Sequence, residues 1–104
     1  KDLMLTCSKQ DQSLQEVAKG VAEISNMLIK KDLIAAENVA TMLKAKYPRI
    51  AVIHDLLGNI YYMKKDVRAA LNSYKKSREL APDNSETLRM IEKLSTISGE
   101  SVGR

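Results

Sequence analysis

The sequence predicts an all-α fold of about five helices arranged as antiparallel hairpins, and three observations predict it. Apolar residues recur at spacings of three and four through most of the chain. No segment alternates as a half-buried strand would. The only prolines, Pro48 and Pro82, stand 34 positions apart and close two segments that align without a gap. These are KKDLIAAENVATMLKAKYP, from Lys30 to Pro48, and KKDVRAALNSYKKSRELAP, from Lys64 to Pro82.

The first element carries Leu14, Val17, Val21, Ile24 and Leu28 on one face, over about residues 13–30. Ser13-Leu14-Gln15-Glu16 reads as a capping box that starts it, with residues 1–12 a helical or disordered extension. The alternative is a longer helix from Asp2. Leu3, Cys7, Gln10 and Leu14 continue the spacing backwards in a near-heptad pattern that suits pairing with another chain.

The second element, about residues 32–46, opens on Asp32, a short carboxylate suited to the unpaired N–H groups of a first turn. It ends before Pro48, because the residue preceding proline disfavours helical geometry. A third helix, about residues 50–63, has a broad apolar face: Val52, Ile53, Leu56, Leu57, Ile60, Tyr61 and Met63. The fourth, about residues 66–80, repeats the second: Asp66 caps it, Val67, Ala70, Leu71, Tyr74 and Ser77 share a face, and Pro82 stops the chain. Asp83-Asn84-Ser85 offers caps for a fifth, about residues 85–98, carrying Leu88, Ile91 and Leu94. Residues 99–104 read as a flexible tail.

Composition narrows the function classes. A chain of 104 residues makes one small domain, residues 13–98 by this division, and lacking Trp and Phe it must build its core from aliphatic side chains, Met and tyrosine. The net charge of +4 is spread among interleaved acids, unlike the basic stripe of a nucleic-acid binder. No apolar run approaches the ~20 residues of a membrane span, so no direct membrane contact is expected. Cys7 is alone, which excludes an internal disulfide and fits a reducing compartment such as the cytoplasm, with the bacterial periplasm as the alternative. The opening on Lys1 fits a domain cut from a longer chain.

Catalytic signatures are missing. His54, the single histidine, has no second His or Cys at ligand spacing, so no metal site and no cofactor are expected. There is no Gly-rich phosphate loop, no carboxylate pair suited to acid–base work and no convergent Ser/His/Asp set. The Lys pairs at 30/31, 64/65 and 75/76 read as solvated helix ends and faces, with cations placed favourably at helix C-termini.

The stretch His54-x-x-Leu57-Gly58-x-x-Tyr61, followed by Ala70-x-x-x-Tyr74 and Pro82, resembles the tetratricopeptide repeat, a helix–turn–helix unit of about 34 residues. Leu57, Gly58, Tyr61, Ala70 and Pro82 agree with its pattern, while His54 stands where Trp is usual and Tyr74 where Phe is usual. The preceding unit, from Val17 to Ile50, keeps Ala36 and Pro48 but has Ile24 in place of the glycine, Met27 in place of the first tyrosine and Ala40 at the second aromatic position. Residues 85–98 resemble the helix that closes such an array.

The resemblance implies a short superhelix of stacked hairpins. The first helix of each unit would line a groove for a partner's peptide or helix. The groove positions are Val52, Asp55, Asn59, Tyr62 and Met63, with Ala18, Val21, Ser25, Leu28 and Ile29 from the earlier unit and Glu86, Arg89, Lys93 and Thr96 from the closing helix. Asn59 matches the asparagine with which some members clamp a terminal carboxylate. Those members carry Lys one turn earlier, where this chain has an anionic Asp55, so that clamp is not expected. Asn59 also suits a helix–helix hydrogen bond, and Tyr62 suits either a partner anchor or packing on the closing helix. The expected function is a non-catalytic protein–protein interaction module. The alternative is self-association into a homo-oligomer through the N-terminal heptad-like helix.

Overall fold

The computed structural model describes the backbone of residues 2–98 and the side chains of residues 13–97. The proposed tail at 99–104 lies outside the described residues, as do the side chains of Leu3, Cys7 and Gln10. The described chain is all-helical: α1 (Asp2–Ile29), α2 (Leu33–Lys46), α3 (Ala51–Met63), α4 (Val67–Leu80) and α5 (Ser85–Ser98).

The caps work as the sequence suggests. Asp32 accepts from Ala35 N at 3.2 Å and Asp66 from Ala69 N at 3.1 Å. Such a cap contributes about 1 kcal/mol. Asn84 Oδ1 accepts from Glu86 N at 3.1 Å and Thr87 N at 3.4 Å, which opens α5.

The turn hydrogen bonds recur 34 residues apart. Lys31 N donates to Leu28 O at 3.0 Å and Asp32 N to Met27 O at 2.8 Å; Lys65 N to Tyr62 O and Asp66 N to Tyr61 O repeat both distances. Each pair closes a Schellman turn whose left-handed residue is lysine, Lys31 at φ 61° and Lys65 at φ 68°. The proline turns recur likewise. Tyr47 N donates to Leu43 O at 2.7 Å and Ala81 N to Ser77 O at 2.8 Å, and Ile50 N and Asn84 N close β-turns onto Tyr47 O and Ala81 O.

The first helix is longer than a start at Ser13 would give. Ser13 lies mid-helix, and the residues before it contain no Gly or Pro, so nothing stops the helix from growing backwards past a cap worth about 1 kcal/mol. At about 1.5 Å per residue, α1 is roughly twice the length of α2. Its Glu16 meets the far end of α2: the carboxylate accepts from Lys46 Nζ at 2.6 Å and from Tyr47 Oη at 2.7 Å. The two helices therefore run antiparallel, and the part of α1 before Glu16 projects past α2. Those two bonds, Lys46's first, hold the Glu16 carboxyl below its ordinary value.

Each helix packs on the next, and α1 also touches α3. One cluster joins Ile24 with Ala36, Ala40 and Leu43 of α2 and Ile53, Leu56, Leu57 and Ile60 of α3. The other joins Ala70, Leu71 and Tyr74 with Ile91 and Leu94 of α5. Tyr61, half-buried, packs on both. Full burial of an aliphatic side chain contributes about 1.5–3 kcal/mol, so these clusters dominate the fold's stability. Leu57, Gly58, Ala36, Ala70 and Tyr74 are buried, whereas Pro48 and Pro82 are exposed in their turns. Lys64 is not simply solvated: it pairs with Glu37 at 2.6 Å and stands 5.9 Å above the Tyr61 ring, tying α2 to the end of α3.

Candidate partner-binding groove

The residues singled out on α3 separate into two groups. Val52 and Met63 are 40% and 39% exposed, large apolar side chains with open faces. Ser25 of α1 and Arg89 of α5 are exposed too, and Leu28 is half-buried against the first cluster. Asp55 and Tyr62 are instead half-buried and tied to neighbours within the chain, and Asn59, though exposed, accepts a hydrogen bond from α4.

Asp55 accepts from Thr87 Oγ1 at 2.9 Å and from Asn84 Nδ2 at 3.5 Å, binding the start of α5 to the middle of α3. Asn59 Oδ1 accepts from the Tyr74 hydroxyl, a hydrogen bond between α3 and α4. Tyr62 packs on the second cluster, and Lys93 Nζ lies 5.2 Å from its ring centroid. That distance falls within the ~6 Å of a favourable cation–π contact. Tyr62 and Lys93 thus occupy each other.

Asp55, Asn59 and Tyr74, with Glu86, Thr87 and Met90, line a cleft of about 80 Å³. Burial pushes the Tyr74 phenol well above its ordinary value, and the nearby Asp55 charge and Tyr62 push the same way. The hydroxyl therefore stays protonated and keeps donating to Asn59. Asp55 and Glu86 make the cleft acidic, which suits an N–H donor or cation and disfavours a carboxylate. Its volume is small beside the ~300 Å³ at which small-ligand sites begin.

His54 is 5% exposed and Nε2 lies 2.8 Å from Pro48 O, so it braces the proline turn as a packing residue. Among the described residues no group of three His, Cys, Asp or Glu side chains could hold a metal ion. None of the described helices is long and apolar enough to cross a membrane.

The sequence reading missed Thr87 and Met90. Thr87 is 2% exposed, a polar residue at a buried position, and its partner Asp55 lies 32 residues away. The only local signal was its place one turn into α5, beside the Asn84 cap. No protein-family model, curated protein or solved structure matches the chain.

Proposed function

We propose that the chain is a non-catalytic protein–protein interaction module of tetratricopeptide type, taking a peptide or helix of a protein partner on the surface of α3. The observation that carries the reading is the recurrence, at a spacing of 34 residues, of the turn hydrogen bonds and the Asp caps. The contact of α1 with α3 adds to it, because stacked units of this type place their first helices side by side.

The surface offered to a partner is narrower than the pattern alone implies. Val52 and Met63 are the apolar contacts, and Ser25 and Leu28 of α1 and Arg89 of α5 are the open or half-open residues that the neighbouring helices offer. Asp55 and Tyr62, half-buried, support that surface, and Asn59 is open to it while bonded to Tyr74. A peptide selected from a random library, followed by amide shift mapping, tests this. Shifts should gather on α3 and the facing part of α1, and Val52→Asp with Met63→Asp should abolish binding without loss of helicity. Shifts confined to α2 and α4, or undiminished binding by the double variant, would remove the groove.

A second reading, self-association, has one specific support: α1 projects past α2 and Leu14 on it is 65% exposed. Light scattering at micromolar concentrations separates the two. A monomer at every concentration ends the self-association reading, and a dimer dissociated by Leu14→Glu upholds it.

A further inference from the structure

A second cleft, of about 330 Å³, lies between α2 and α4 and involves none of the groove residues. Lys44 forms its wall on α2, Asn72, Ser73 and Lys76 form the wall on α4, and Pro48 and His54 complete it. Its volume falls in the range of small-ligand clefts, about 300–1,000 Å³.

Most of the lining surface is apolar, and its polar side chains are of one kind. Two ammonium groups, an amide and a hydroxyl can all donate, and no carboxylate lines the cleft. Lys76 pairs with Glu79 at 3.9 Å and its side chain is 51% exposed, so this pairing is weak. A carbonyl oxygen only accepts, so His54 Nε2 carries a hydrogen towards Pro48 O, which fixes the ring and leaves Nδ1 an acceptor, so the ring braces the cleft and offers an anion no donor. Lys44 and Lys76 stand on different walls and are both exposed, so each flexible stem can bring its ammonium group to an anion in the cleft.

We infer that this cleft binds a phosphoryl group. A phosphate dianion has the charge to match both lysines and the oxygens to engage Asn72 and Ser73 as well. A carboxylate, with one charge and two oxygens, leaves donors unmatched. The group is carried on a phosphorylated side chain of a partner or arrives as free phosphate. The inference does not rest on the groove, since the two surfaces share no residue.

The test is an amide shift titration of the whole chain with inorganic phosphate, with a short phosphoserine peptide and with acetate, at constant ionic strength. Saturating shifts at Asn72 and Ser73 with phosphate or the phosphopeptide, and none with acetate, are expected. Tighter binding of the peptide assigns the group to a protein partner; equal binding assigns it to free phosphate. Lys44→Gln and Lys76→Gln should each weaken binding about tenfold, the loss of one charge-assisted hydrogen bond. Both lysines are exposed, so the variants should keep the parent circular dichroism spectrum. Absence of saturation by either phosphoryl probe, equal binding of acetate, or unchanged binding by the double variant overturns the site.

Discussion

A Cβ placed on Gly58 would sit 2.7 Å from Cε1 and Cζ of Tyr74. The Tyr74 ring thus lies directly on the backbone of α3, with its hydroxyl bonded to the next residue, Asn59. The positions 34 residues earlier are Ile24 and Ala40, both fully buried in the first cluster. The large member of the pair has moved from one helix to the other, and the small member has moved with it. In the first cluster the larger side chain thus stands on the first helix of the hairpin, and in the second on the other helix.

Gly58→Ala should therefore destabilise the fold by about 1–2 kcal/mol, since overpacking against a buried ring outweighs the helix propensity gained. Gly58→Ile should cost more, and adding Tyr74→Ala should recover part of the loss, a coupling of about 1–3 kcal/mol. Urea unfolding of the two single variants and the double variant measures it. Strict additivity would dismiss the exchange.

Lys31 and Lys65 adopt the left-handed conformation at Schellman turns, where a side chain costs about 1–2 kcal/mol and glycine costs little. Part of that gain is offset by the greater freedom of glycine in the unfolded chain. Lys31→Gly and Lys65→Gly should each raise stability by about 0.5–1 kcal/mol, seen as a higher denaturation midpoint. A lower midpoint in both would contradict the turn geometry.

Asp55 ties α5 to α3 through Thr87 and Asn84. Asp55→Ala leaves the buried Thr87 hydroxyl without its acceptor and should cost about 1–3 kcal/mol. The loss should be local: hydrogen exchange should quicken in α5 while α1 and α2 keep their protection. Uniform quickening through all helices would show that α5 does not open on its own.

Stability should fall at both ends of the pH range. Tyr74 titrates above its ordinary 10.0 in the folded chain, first through burial and then through Asp55 and Tyr62. Its contribution is complete below pH 10.0 and is lost as pH rises through the higher folded value. Tyr74→Phe should flatten this alkaline limb. Glu16 has the opposite sign: its contribution is present above 4.5 and is lost as pH falls through the lower folded value. Being exposed, it should give a small effect that added salt reduces, and Glu16→Gln should remove it. An alkaline limb unchanged by Tyr74→Phe would place its origin elsewhere.

The sequence by itself determined α2 to α5 closely. The starts of α2, α4 and α5 depend on local chemistry, an Asp or Asn side chain reaching the N–H groups of the next turn, and a proline turn closes α2 and α4. Helix α3 begins after Ile50 without a side-chain cap and ends in the Lys65 turn. The start of α1 was not legible, because a Ser–Glu capping pattern mid-helix looks the same as one at a helix end, and only the conformation of the preceding residues distinguishes them. The groove was legible as a row of positions, though not as a surface. Whether Asp55, Asn59 and Tyr62 face a partner or their own neighbours depends on Thr87, Tyr74 and Lys93, which lie far along the chain and come close only on packing. The exchange between Ile24–Ala40 and Gly58–Tyr74 was decided by packing as well. A close-packed interface fixes the sum of two facing volumes and leaves open which helix carries the larger side chain.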